Sequence, residues 1–273
     1  MRKIMSTTLI LAIFISSLPV TALATSDNWG LSFPQPGEKP RGNATPEALL
    51  EHDAYFVDPT EEKVIYLTFD AGYENGCTEP ILDALKSTDT PAAFFLVGTY
   101  IRDHPDLVRR MVEEGHTIGN HTMHHPDMSA IADRARFERE LAETESHYES
   151  AIGAPMPKLY RPPQGKYSAD NLKMAKDLGY TTLFWSLAYV DWNVDAQPSK
   201  KQAFDKLLPR IHPGAILMLH STSATNAEIL EELILKYKEM GYSFRCITNL
   251  ATGVSPANTP PQPCAFSQAL AAL

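Results

Sequence analysis

The stretch from His121 to His125 gathers three of the nine histidines in the chain. On one helical turn, His121 and His125 would project from the same side, with about 5–6 Å between their β-carbons. Both could then ligate one divalent ion, with zinc the first choice and cobalt, manganese or magnesium as alternatives. A hydrolytic site of this kind also needs a third ligand and an open position for water, which the ion acidifies. Asp70 is placed to act as the general base. Burial would raise its pKa and a nearby Arg161 would lower it. Cleaving an amide or ester also demands a proton for the leaving group, and His220 can supply it because an imidazole titrates close to working pH. Asp191 could either orient His220 or neutralise Arg161. Trp192 could form an apolar wall against a sugar ring, and a backbone N–H in the rigid turn Arg161–Gly165, around Gln164, could hold an oxyanion.

These residues are far apart in the chain, so the elements between them must bring them together. Val64–Phe69 is an uninterrupted run of β-branched, aromatic and aliphatic residues, the mark of a strand buried on both faces, and Asp70 follows it directly. Ala92–Val97, His116–Gly119, Lys158–Tyr160, Thr181–Ser186, Ala215–Leu219 and Tyr242–Ile247 read as further strands. Helices are expected at Thr78–Lys86, from Pro105 to Gly115, at Ala132–Ile152, from Ser168 to Gly179, at Ser199–Ile211 and at Asn226–Met240. Strand and helix alternate about seven times. That predicts an α/β fold, a single distorted (β/α) barrel of about seven parallel strands joined by right-handed crossovers. Chemistry in such barrels collects at the carboxyl ends of the strands. Asp70, His121, Arg161, Asp191 and His220 all follow apolar runs directly or within a few residues, so they should meet on one face.

The rest of the chain sets the context. Arg2 and Lys3, the apolar run Leu9–Val20 and Ala22–Ala24 read as a secretory signal peptide over 1–24, so the mature protein is expected outside the cell with no lasting membrane insertion. Residues 25–58 look like an irregular arm, 59–251 like one catalytic domain, and 252–273, rich in Pro and Ala, like a flexible tail. A net charge of −9 argues against nucleic acid as a partner. Cys246 and Cys264 could pair, which leaves Cys77 as a packing residue. A monomer is expected.

The motifs resemble those of the polysaccharide deacetylases, the carbohydrate esterase family 4 or NodB-homology domain, over residues 60 to 250. The matching segments are Thr68-Phe69-Asp70-Ala71, His121-Thr-Met-His-His125, Arg161-Pro-Pro163-Gln164, Asp191-Trp192 and Leu217-Met-Leu219-His220. The resemblance implies a NodB-like barrel with Asp70 as base, His121 and His125 as metal ligands, His220 as acid, and Arg161 and Asp191 tuning that pair. Ala71 stands where most members place a metal-binding aspartate, Gln164 where they place a tyrosine, and Ala188 where they place an acid, so weaker metal binding is expected. Thr68–Gly76 and Phe184–Trp192 are similar to the branch of sporulation de-N-acetylases that makes the muramic δ-lactam of spore cortex. This branch implies peptidoglycan glycan strands as the partner and N-acetylmuramic acid, stripped of its stem peptide, as the substrate, at the cell wall or in the space between the spore membranes. Two other readings stand beside it: an N-acetylglucosamine or chitooligosaccharide deacetylase with the same site, and a glycan-binding protein whose catalysis has lapsed. A glycosidase is disfavoured, because the carboxylate pair it needs is not apparent in these motifs.

Overall fold

The computed structural model describes residues 26–251. The expected signal peptide, the tail and the pairing of Cys246 with Cys264 lie outside the described residues. Eight strands build the main sheet: β1 (Ala54–Tyr55), β2 (Val64–Ala71), β3 (Ala93–Leu96), β4 (Thr117–Asn120), β5 (Leu159–Tyr160), β6 (Thr181–Leu183), β7 (Ala215–His220) and β8 (Ser243–Phe244). Their order is β7-β2-β3-β4-β5-β6-β1, with β8 pairing the start of β2, and every pairing is parallel. All eight residues of β2 are buried, as its unbroken apolar run requires of a central strand.

The sheet curls. Arg161, just after β5, donates to Asp70 on β2 although two strands separate β5 from β2. In a flat sheet that span would be about 14 Å, beyond hydrogen-bond reach without curvature. The gap on the far side is bridged where Leu187, beyond β6, pairs in parallel with Leu217 on β7. Side chains alternate across this wall. Ile65, Leu67 and Phe69 of β2 face the surrounding helices, whereas Val64 and Tyr66 face inward with Phe95, Leu183 and Ile216. Continued by period two, the inward row of β2 ends at Asp70 and that of β7 at His220.

Nine helices accompany the strands among the described residues: α1 (Pro46–Leu50), α2 (Thr78–Ser87), α3 (Gly98–Asp103), α4 (Pro105–Glu113), α5 (Arg134–Ile152), α6 (Ala169–Asp177), α7 (Lys200–Leu207), α8 (Ala224–Glu239) and α9 (Thr248–Ala251). Ser168, Ser199 and Ser223 cap α6, α7 and α8 by accepting from backbone N–H groups. Helix α3 was not legible in the sequence, because Gly98 heads a segment only six residues long. Cys77 is buried and free, and burial followed by the nearby Glu74 pushes its thiol up, which suits packing and not attack.

Residues 26–58 were expected as an irregular arm. They are irregular in path but packed, and the main sheet begins with β1, ahead of position 59. Trp29 stacks on Phe184 at 4.6 Å, lies 5.0 Å from Phe56, and donates its indole N–H to the Trp185 carbonyl at 2.9 Å. An aromatic residue in a polar, turn-rich segment carries no periodic signal, so only its tertiary partners reveal its role. Among the described residues no helix is long and apolar enough to cross a membrane.

Candidate active site

A cavity of about 650 Å³ opens at the carboxyl ends of the strands, and Asp70, His121, His125, Gln164, Trp192 and His220 all line it. Asp70 and His220 are register partners on the adjacent strands β2 and β7 and share the inward face. The predicted convergence therefore holds for the lining residues. Arg161 and Asp191 sit behind them, fully buried.

Arg161 is committed throughout. Its Nη1 donates to Asp70 Oδ1 at 2.7 Å and Thr68 Oγ1 at 2.9 Å, Nε to the Leu183 carbonyl at 2.9 Å, and Nη2 to the Phe184 carbonyl at 3.2 Å. The guanidinium also lies 4.1 Å from the centre of the Phe95 ring. Burial pushes the Asp70 carboxyl up, but the Arg161 charge, then His121 and His220, outweigh it and hold the group below its ordinary value. Asp70 is thus ionised at neutral pH. Its Oδ1 is spent on Arg161, while Oδ2 faces His121 Nε2 at 3.7 Å.

The histidine stretch differs from the expected helical turn. Residues 121–125 form a loop after β4, with Thr122 and His125 in the left-handed region at φ 67° and 57°. That conformation is strained for β-branched Thr122. It is held because Thr122 N–H donates to Asn120 Oδ1 at 2.9 Å, Gly98 N–H donates to the Thr122 carbonyl at 2.9 Å, and His125 N–H donates to Thr122 Oγ1 at 3.0 Å. The loop still faces the two rings toward each other, with centroids 4.9 Å apart. His121 Nδ1 lies 2.8 Å from the Arg161 carbonyl. A carbonyl only accepts, so Nδ1 carries the proton and Nε2 presents its lone pair. Burial, opposed by Asp70, lowers His121 to about 4, and burial also lowers His125. Both are neutral imidazoles at neutral pH, the form a metal takes.

Among the described residues no group of three or more His, Cys, Asp or Glu side chains is disposed to hold a metal ion. The donor set is two neutral imidazoles with Asp70 Oδ2 beside one of them, and the buried methyl of Ala71 adds no oxygen. These residues fit a divalent ion held by two nitrogens and otherwise open, more loosely than a three-ligand site would hold it.

His220 is gripped by Asp191, the first of the two partners the sequence left open for that carboxylate. Asp191 Oδ1 lies 2.7 Å from His220 Nδ1, and Oδ2 accepts from the His220 backbone N–H at 2.8 Å and from Asn226 Nδ2 at 2.6 Å. Burial would lower the His220 pKa, but the Asp191 bond and charge, with Asp70, raise it above the ordinary value. Trp192 is 59% exposed at the rim, and Gln164 is exposed on its turn at φ 60°. Two aromatic residues outside the sequence-derived site set also line the cavity. Trp185 ends the Phe184-Trp185 run beyond β6, and Tyr73 lies 50% exposed beyond β2. A strand-end aromatic was the available signal for Trp185. Gly165 makes room for it, since a β-carbon there would come within 2.8 Å of the Trp185 ring.

A sequence profile described as polysaccharide deacetylase matches residues 57–183. The chain is 42% identical over 226 residues, 82% of its length and 85% of the relative's, to the peptidoglycan-N-acetylmuramic acid deacetylase PdaA of Bacillus subtilis (strain 168). It is 37% identical to a chitooligosaccharide deacetylase of Bradyrhizobium sp. (strain ANU 289) over 165 residues, 60% of this chain and 74% of that one. The solved structure of Bacillus subtilis PdaA, a family 4 carbohydrate esterase, matches with a TM-score of 0.79 at 40% identity, covering 83% of this chain and 97% of that one.

Proposed function

The chain belongs to the polysaccharide deacetylase family, and from that premise we propose that it removes the N-acetyl group of N-acetylmuramic acid in peptidoglycan whose stem peptides have been cut away. It is a peptidoglycan deacetylase, a hydrolase of carbon–nitrogen bonds other than peptide bonds. The observation that carries the catalytic reading is the placing of Asp70 and His220 side by side on the inward face of one cavity, each held from behind by its own buried partner, Arg161 or Asp191.

Deacetylases of this family are generally metal-dependent. His121 and His125 would hold the ion, zinc in this reading, and when bound it would polarise the acetyl carbonyl and acidify water. Asp70 would take a proton from the attacking water at Oδ2, the oxygen Arg161 leaves available. His220 delivers a proton from Nε2 to the departing amine, while Asp191 keeps Nδ1 oriented and favours the protonated ring. In this reading the Gln164 backbone N–H would hold the developing oxyanion, and Trp192 would offer its exposed face to a sugar ring. The freed amine can then attack the lactyl carboxyl of the same sugar. An amide bond forms and water leaves, which closes the muramic δ-lactam of spore cortex. Export through an N-terminal signal peptide would place the enzyme with this substrate.

The test is acetate release by the mature protein from peptide-stripped peptidoglycan and from chitooligosaccharide, with chelator and with zinc restored. Release from the muramic strands alone, lost with chelator and regained with metal, is the expected result. Preference for chitooligosaccharide would overturn the substrate assignment. Binding of both glycans without release under any divalent metal would replace it with a lapsed, glycan-binding protein, the reading that Ala71 favours.

A further inference from the structure

A second groove of about 580 Å³ continues from the catalytic cavity and shares Trp185, Trp192, Met218 and His220 with it. Its outer end is cationic. Lys206, on α7, and Arg210, one turn beyond it, both line the groove. Positive charge at this position is notable in a chain of net charge −9. Among the described residues no carboxylate lies within 4.0 Å of either side chain. Two nearby acids are committed to other lysines, Asp205 on α7 to Lys201 at 2.6 Å and Glu232 on α8 to Lys200 at 2.5 Å. Arg210 rests on the Phe33 ring, 4.5 Å from its centre, so its guanidinium is positioned without being neutralised.

An aromatic channel that leaves the acid His220 and ends at two cations paired with no described carboxylate suits a ligand that is sugar-like along its length and anionic at its far end. Building on the muramic reading of the active site, we propose that this groove binds the glycan strand beyond the reacting sugar and that Lys206 and Arg210 receive the free lactyl carboxylate of another muramic acid residue. Removal of the stem peptide creates that charge, so the subsite favours strands already processed by an amidase-type hydrolysis. A guanidinium can take a carboxylate bidentately, and the Lys206 ammonium adds a point charge beside it.

The test measures calorimetric binding of three strand preparations: peptide-stripped, peptide-stripped with the carboxyls methyl-esterified, and peptide-bearing. Lys206→Gln and Arg210→Gln should each weaken binding of the stripped strands by about 3- to 10-fold, the range of a partly exposed charged contact. They should leave the esterified strands unaffected, and Arg210→Lys should recover part of the loss. Lys201→Gln, on the same helix but outside the groove, should change nothing. Equal weakening on esterified strands, or none on stripped ones, would overturn the proposal. So would tight, Lys206-dependent binding of peptide-bearing strands, whose lactyl carboxyls are blocked as amides. Binding is read without turnover, so a failure of wild-type acetate release would count against the active-site reading and leave this comparison decisive for the groove.

Discussion

Asp191 holds His220 at two points, the ring Nδ1 at 2.7 Å and the backbone N–H at 2.8 Å, so one buried carboxylate sets both the position of the strand end and the protonation of the imidazole it carries. The other Asp191 oxygen contact, from Asn226 at the head of α8, ties this arrangement to the helix that follows β7. A histidine raised in this way keeps its proton at a pH where a free imidazole would have lost it. That is the property an acid for an amine leaving group needs.

Asp191→Asn should therefore move the alkaline limb of kcat/KM to lower pH, because the amide preserves a hydrogen-bond acceptor but removes the charge that raises His220. The stability effect has a definite sign. The folded-state value of His220 lies above the unfolded value of about 6.5, so the stabilisation is complete below that pH and is lost as pH rises through the folded value. The melting-temperature difference between wild type and Asp191→Asn should narrow toward alkaline pH. An unmoved alkaline limb would remove His220 from the acid role.

Asp70→Asn is expected to cost both activity and stability. Its carboxylate is the only one paired with fully buried Arg161 among the described residues, and stripping a buried charge of its partner costs about 3 kcal/mol or more. Acetate release should fall at least about 100-fold, the lower bound for loss of a general base. Denaturant melts should show the matching loss of stability. A variant that is inactive yet as stable as wild type would mean that Arg161 draws its compensation from Thr68 and the Leu183 and Phe184 carbonyls alone.

Trp192→Ala should behave differently from either. The ring is 59% exposed, so stability should change by no more than about 0.5 kcal/mol. Loss of a stacking face should raise KM by about 3- to 10-fold with kcat little changed. A fall in kcat at constant KM would assign Trp192 to the transition state and not to sugar binding.

The amino-acid sequence determined the parallel fold and which candidate residues stand at its strand ends, because both rest on local signals. Apolar runs report strands buried on both faces, and a polar residue at the end of such a run reports the catalytic rim. Asp70 after Val64–Phe69 and His220 after Ala215–Leu219 are legible in this way, and the inward period of two then places them on one face. Only the tertiary structure decided the partners. Arg161 and Asp70 are 91 positions apart and meet because the sheet curls. Asp191 chose His220 over Arg161 because the chain beyond β6 bends back onto β7 at Leu187. The histidine pair is arranged by a left-handed loop and not by a helical turn, since Asn120 and Gly98 supply hydrogen bonds that no spacing rule contains. Trp29 supports the rim through the Trp185 carbonyl from a segment with no periodic signal at all. Strand and helix propensities are written in neighbouring residues. The charges that set Asp70 low and His220 high come from residues brought close only by the curled sheet, and so the chemistry of the site, unlike its composition, is a property of the fold.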